Sequence, residues 1–208
     1  MNKRTSLLIL IILFFYNYYI GFSQKNYSIE YFNNLKKILS KREDISDVKY
    51  FEQKYFNGKI KMQFVAIRYK NSNIKKRFWC VGKNFSFYKS GGIRRIFTVD
   101  LNTNAFIDTT YNYDLEGNLI SIILFDKNNE KLFARKVYYN FFSIFRSFYI
   151  NFPEKHKVIK FKNGKKLSEK NFRFLNIYKL VSDGDFIYYK EDGSIDRIEK
   201  YEKGVLVK

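Results

Sequence analysis

Side chains able to do acid–base, nucleophilic or metal chemistry are few: one His, one Cys, and 20 Asp plus Glu in 208 residues. His156 lies in PEKHKVIKF between Lys155 and Lys157, with Glu154 as the nearest acid that could orient it. A catalytic histidine works with a nucleophile and an orienting acid in hydrogen-bond reach. No nucleophile accompanies His156, so it is expected at an exposed turn or strand edge, its pKa held down by the lysine charges. Cys80, in RFWCVG beside Trp79, is expected as a buried, inert thiol. A single Cys builds no intrachain disulfide framework, and with a single His it builds no zinc cage of the usual kind. Asp183, Asp185, Glu191, Asp192 and Asp196 gather near the C-terminus. A calcium site takes roughly six or more converging oxygens, whereas Asp-Gly pairs form turns for backbone reasons. SDGDF (Ser182 to Phe186) and KEDGSI (Lys190 to Ile195) are therefore expected as turns. Two carboxylates facing across a cleft would make a glycan hydrolase, the least favoured reading. No phosphate-cradling glycine loop, metalloprotease helix or serine-nucleophile elbow occurs. The expectation is a non-enzymatic protein with no catalytic residues, metal or cofactor.

Side chains able to bind are abundant. Aromatic residues make up 20% of the chain, and 29 Lys plus 10 Arg give a formal net charge of +19. Arg, preferred for forked phosphate and base contacts, is the minority, and a Lys, Asn, Ile, Phe and Tyr excess also follows from A- and T-rich codons. The densest aromatic run is KLFARKVYYNFFSIFRSFYINF, Lys131 to Phe152. It fits a helical stripe (Phe133, Val137, Phe141, Phe145, Phe148) and a strand face (Val137, Tyr139, Phe141, Phe145) alike, which leaves its secondary structure open. It supplies either core and sheet cover or a basic-aromatic surface for a membrane, a glycan or a protein. The binding candidates are Tyr188, Tyr189 and Tyr201, then Tyr138 and Tyr139, acting by stacking with Lys attraction that weakens as salt rises.

These residues need a scaffold, and the N-terminus suggests where it works. Lys3 and Arg4, the apolar run Leu7 to Tyr16, and Gly21 and Ser23 follow the order of a secretory signal, with cleavage expected after Ser23. An uncleaved anchor is the alternative, although the run is shorter than the ~18–20 apolar residues a span needs. With no Cys near the cleavage site, a lipoprotein is disfavoured. Export to the periplasm, cell surface or medium argues against a nucleic-acid partner. The expected divisions are residues 1–23 as signal peptide, 24–48 as an N-terminal helical segment and 49–208 as a repeat domain. From Ser28 to Asp47, Phe32, Leu35 and Leu39 recur at helical spacing among Lys36, Lys37 and Lys41.

Beyond Lys49, short runs of Tyr, Phe, Ile and Val are punctuated by FNGKI, KNSNI, KSGGI, DLEGNL, DKNNE, FKNGK, SDGDF and KEDGSI. Asn-Gly and Asp-Gly suit tight hairpins. Aligned on a glycine, three segments match: Gly193 with Ile195, Ile198 and Tyr201; Gly117 with Leu119, Ile122 and Phe125; Gly91 with Ile93, Ile96 and Val99. Tyr55 to Lys61 keeps the start of the unit, and Phe161 to Gly164 its end. Such self-similarity marks a chain built by stacking one hairpin-sized unit. Apolar residues three apart match neither strand nor helix period; a one-residue bulge or a sheet apolar on both faces would each account for them.

Asp183 to Gly204, DGDFIYYKEDGSIDRIEKYEKG, resembles the variant MORN-type repeat, with an aromatic pair, a turn ending in Gly, an aliphatic strand and a second Tyr-x-x-Gly turn. YFNGKIK at Tyr55 and FYKSGGI at Phe87 resemble its first half. The resemblance implies an extended antiparallel β-hairpin sheet serving as scaffold or interaction surface; with the periodicity of the N-terminal segment, the expected fold is all-β, an extended antiparallel β-hairpin repeat sheet (meander) with a short N-terminal helix. The functional expectation is an exported binding or scaffold protein that engages a protein or an anionic envelope component through aromatic and Lys-rich sheet faces. Peripheral membrane contact is compatible with it, and a monomer is the expected state. The alternative is an immunity or antitoxin-like protein that binds a cognate toxin.

Overall fold

The computed structural model describes residues 29–70, 77–126, 132–138 and 147–207. Helix α1 spans 29–39 and buries Phe32, Leu35 and Leu39 while leaving Ile38 exposed, the stripe that its apolar spacing predicts. Ser40 ends it: its N–H and its Oγ both donate to Lys36 O, at 2.9 and 2.8 Å. The first strand begins at Ile45, a few residues ahead of the expected boundary at residue 49.

Strands β1 (Ile45–Lys54), β2 (Ile60–Tyr69), β3 (Phe78–Phe87), β4 (Ile93–Val99), β5 (Phe106–Tyr113) and β6 (Leu119–Phe125) form an antiparallel meander. Strands β7 (Leu132–Tyr138) and β8 (Ser147–Pro153) pair with each other off that path. Strand β9 (Lys155–Lys162) then returns beside β6, and the meander resumes through β10 (Lys165–Asn176), β11 (Lys179–Tyr189), β12 (Ile195–Glu202) and β13 (Val205–Leu206). The result is the expected all-β open sheet of hairpins with one short helix. Within Lys131 to Phe152 the described parts are strands; residues 139–146, like residues 71–76 and 127–131, where the KNSNI and DKNNE turns are expected, lie outside the described residues. Pairing of β4 with β3 stops at Gly82↔Val99, and β8 takes up the vacated flank, parallel, through Phe78↔Phe148 and Trp79↔Tyr149.

The odd apolar spacing has a register explanation. After each of five glycine turns, the third residue past the glycine is an extra one in its strand: Lys61, Arg94, Ile120, Leu167 and Asp196. This bulge lets residues three apart share a face. Ile93 and Ile96 stand opposite Phe87 and Phe85, and Ile195 and Ile198 stand opposite Tyr189 and Ile187. No bulge interrupts the next step of three, so Val99, Phe125 and Tyr201 fall on the other face. Both devices therefore operate, the bulge first and the two-faced sheet second.

A wider bulge, three residues opposite one, recurs in the first strand of three units: Gly82 to Asn84 opposite Phe64, Asp108 to Thr110 opposite Phe97, and Asp183 to Asp185 opposite Asn171. SDGDF is thus no hairpin turn. It lies inside β11, which stays paired with β10 on both sides because Gly184 takes a φ of 105°.

Burial is uneven along the sheet. On one face α1 packs Phe32, Leu35 and Leu39 onto Val65, Ile67, Val81 and Phe85. On the other, Ile150 and Phe152 of β8 close over Phe64, Ala66, Cys80, Phe97 and Val99. In the β9–β13 half Phe186 is the one buried apolar side chain among the described residues, whereas Ile195, Ile198 and Val205 are 52%, 53% and 65% exposed. The first half is a layered core; the second presents both faces of a single sheet.

Candidate functional site

Alternation along β6 and β9–β12 sorts side chains onto two faces. On the helix face, Ile122, Ile159, Glu169, Ile187 and Ile198 stand directly opposite one another across the strands. Glu169 therefore interrupts an isoleucine row, its side chain 13% exposed. Lys166 Nζ, Tyr189 Oη and Lys157 Nζ surround it at 2.6, 2.9 and 3.3 Å. The hydrogen bond from Lys166, joined by those from Tyr189 and Lys157, holds its carboxyl down to about 2.

The opposite face carries a ladder of rings, one per strand: Phe97, Phe106, Phe125, His156, Phe172, Phe186 and Tyr201. Successive centroids are 5.4, 4.9, 5.9, 5.6, 5.3 and 4.6 Å apart, within the range of favourable ring pairs. His156 is thus a ladder member inside the sheet, correcting the expectation of an exposed turn or edge. Burial among Phe125, Phe172 and Phe174 pushes its pKa down to about 4, so desolvation, in place of the expected lysine charges, is the cause. It is neutral at pH 7, and its buried Nδ1 has no hydrogen-bond partner. Glu154, the expected orienting acid, lies 3.8 Å from Arg173. An open cleft of about 530 Å³ borders Phe125, His156, Phe172 and Tyr201 at the end of the sheet away from the glycine turns. Cys80 is fully buried as expected, donates to Asn84 Oδ1 at 3.4 Å, and has its thiol pushed up by burial.

Toward the glycine turns, the ladder face becomes charged. Register places Lys160, Lys162, Lys165, Lys170 and Arg197 around Tyr188, with Glu199 among them. Arg197 lies 3.8 Å and Lys170 4.7 Å from the Tyr188 ring centroid, both cation–π contacts. Tyr188 and Tyr201 donate to the same Glu199 oxygen at 3.1 and 3.0 Å, and Arg197 Nε donates to the other at 2.9 Å. The three C-terminal candidates are accordingly half-buried with committed hydroxyls: Tyr188 and Tyr201 come together on one face, and Tyr189 serves Glu169 on the other. Tyr138 belongs to β7, but its side chain, like all of Tyr139, lies outside the described residues. The carboxylates disperse: Asp183 faces Arg173 at 2.7 Å, Asp192 caps the Ser194 N–H at 2.9 Å, and Asp196 faces Arg197 at 3.3 Å. Among the described residues no three His, Cys, Asp or Glu side chains gather as a metal site would require, and no helix is long and apolar enough to cross a membrane.

Family models, curated proteins and solved structures give no match to this chain. Two groups escape a reading of the sequence. Glu169 becomes a hub because pairing sets it between Ile159 and Ile187, a register visible only once β9, β10 and β11 are aligned. The lysines near the turns become a cluster because two hairpins point the same way. The alternation of Lys160, Lys162 and Lys165 with Phe161 is the trace of this in the sequence.

Proposed function

We propose that this chain is an exported, non-enzymatic binding module that engages an anionic envelope component through the turn-proximal half of β9–β12. The observation that carries the reading is five cationic side chains, Lys160, Lys162, Lys165, Lys170 and Arg197, set around the Tyr188 ring on a single-layered sheet, with two carboxylates, Glu199 and Asp196, both beside Arg197. Such a face attracts polyanions over a Debye length of ~8 Å at physiological salt, and the rings add contact that salt does not screen. The layered half, with α1 and β8, serves as the rigid base.

The test is co-sedimentation of the purified protein with cell-envelope extract at low and high salt. Retention at low salt that falls as salt rises, and that drops in a Lys160→Gln, Lys162→Gln, Lys170→Gln variant, is the expected outcome. No retention at either salt overturns the reading.

A further inference from the structure

A pocket of about 280 Å³ lies between the β9–β10 and β11–β12 turns, lined by Lys162, Lys165, Lys166 and Lys190 with Leu167 and Tyr189. The two turns are fixed relative to each other, because Lys165 Nζ donates to Glu191 O at 2.8 Å. The four ammoniums are not equivalent. Lys166 is neutralised by Glu169 at 2.6 Å and lies 5.1 Å from the Tyr189 ring centroid. Lys165 bonds a neutral carbonyl, which leaves its charge uncompensated. Lys162 and Lys190 enter no ion pair among the described residues, and neither does Glu191, the one carboxylate lining the pocket. The pocket thus concentrates Lys162, Lys165 and Lys190 against Glu191.

Uncompensated like charges lining one pocket repel, and an anion seated among them relieves that repulsion. The number of cations narrows the anion. A phosphate monoester carries about −1.5 to −2 charge and three acceptor oxygens at pH 7, against one charge and two oxygens for a carboxylate, so it answers three ammoniums more completely. Leu167, the bulge residue of β10, is 45% exposed and stands with the Tyr189 ring as an apolar wall. A cavity below the ~300–1,000 Å³ of drug-sized sites holds a phosphate with a few carbons attached.

We infer that this pocket binds the phosphate of a phosphorylated short polyol, with the phosphate among Lys162, Lys165 and Lys190 and the carbon skeleton against Leu167 and Tyr189. The inference deepens the envelope-binding reading and rests on it, naming phosphate as the anion. The same chemistry is offered by a soluble polyol phosphate or polymer and by a lipid headgroup.

The experiment follows amide and Leu167 methyl resonances of the full chain during separate titrations with glycerol 3-phosphate, inorganic phosphate, glucuronate, and vesicles of phosphatidylglycerol or phosphatidylcholine. Saturable shifts at Asn163 to Leu167 and Tyr189 to Glu191 with glycerol 3-phosphate, weaker with inorganic phosphate and weaker again with glucuronate, are expected. Lys162→Gln with Lys190→Gln should weaken binding at least about fivefold, while Lys59→Gln with Lys89→Gln, an equal charge change at more distant turns, should leave it within about twofold. Binding to phosphatidylglycerol vesicles but not phosphatidylcholine, at these same residues and without saturation by glycerol 3-phosphate, assigns the phosphate to a lipid. Unmoved pocket resonances in every phosphate arm, or equal response to glucuronate, overturn the inference. If envelope extract still retains the protein in that case, the broader reading stands without the phosphate assignment; loss of both removes both.

Discussion

Tyr88 donates its phenolic hydrogen to the Tyr113 carbonyl at 2.6 Å, and Tyr55 does the same to Phe87 at 2.7 Å. In both pairs the donor opens a glycine turn, and the acceptor closes the first strand of the next unit. Lys59 to Ser90 O and Lys165 to Glu191 O, each at 2.8 Å, link turns in the same way. The repeats are therefore stapled to each other beyond the strand ladder. Tyr88→Phe should cost about 1 kcal/mol, the net worth of a part-buried hydrogen bond, whereas Tyr113→Phe leaves this bond intact because its acceptor is backbone. Urea unfolding of both variants checks the difference, and equal midpoints would show that the Tyr88 hydroxyl contributes nothing.

Gly82 separates conformational strain from packing. Its φ is 71°, and a Cβ there would overlap Leu35 Cδ2 and the Tyr31 hydroxyl of α1, whereas Gly58, at φ 79°, has open space around it. Gly58→Ala should cost about 1 kcal/mol from the left-handed backbone alone. Gly82→Ala adds overpacking and should cost about 2–4 kcal/mol in total. Thermal or denaturant midpoints rank the two, and Gly82→Ala no worse than Gly58→Ala would mean that α1 can shift without penalty.

His156 links the ring ladder to pH. Its folded pKa of about 4 lies below the usual 6.5, so the unfolded chain takes up a proton first as pH falls. The stability this site supplies is complete above about pH 6.5, is lost progressively down to about pH 4, and changes no further below that. Its size is on the order of 2–3 kcal/mol. His156→Phe keeps a ring in the ladder and should abolish this slope. Denaturant unfolding of both proteins at intervals from pH 7 to pH 4 is the check, and parallel pH profiles would sink it.

The hairpins were legible in the sequence because glycine, Asn and Asp mark turns chemically, and because each unit repeats the same apolar offsets. The helix was legible too, since Phe32, Leu35 and Leu39 sit at a period no strand shares. SDGDF misled because Asp-Gly reports a positive φ and does not say whether the chain reverses there. In β11 it widens a bulge, since Asn171 of β10 fills the space opposite and donates to Asp185 O at 2.6 Å. His156 misled for a related reason: flanking lysines look like a solvated loop, yet in a strand the neighbours point to the other face. Tyr188, Tyr189 and Tyr201 were recognisable as a group, but which share a face and which carboxylate holds each depends on register. A one-residue bulge changes register without changing composition.

Glu169 supplies a second acid-sensitive element, separable from the first. Its folded carboxyl, held at about 2 by Lys166, Tyr189 and Lys157, lies below the usual 4.5, so its contribution is complete above about pH 4.5 and is lost as pH falls toward 2. Glu169→Gln keeps the shape but removes the charge, leaving Lys166 and Lys157 with a weaker acceptor inside an isoleucine row, and should cost about 1–3 kcal/mol at pH 7. Glu169→Ile continues the apolar row from Ile159 to Ile187 but strands the Tyr189 hydroxyl and both ammoniums. If satisfaction of those donors is what Glu169 provides, the Ile variant is no more stable than the Gln variant; if filling the row matters more, it is the better of the two. The double variant His156→Phe, Glu169→Gln should lose both contributions, the fall between about pH 6.5 and pH 4 and the part of the fall between about pH 4.5 and pH 2 that Glu169 supplies. Denaturant unfolding from pH 7 to pH 2 checks this, and a loss below pH 4.5 as large as in the His156→Phe single variant would mean that Glu169 contributes none of it.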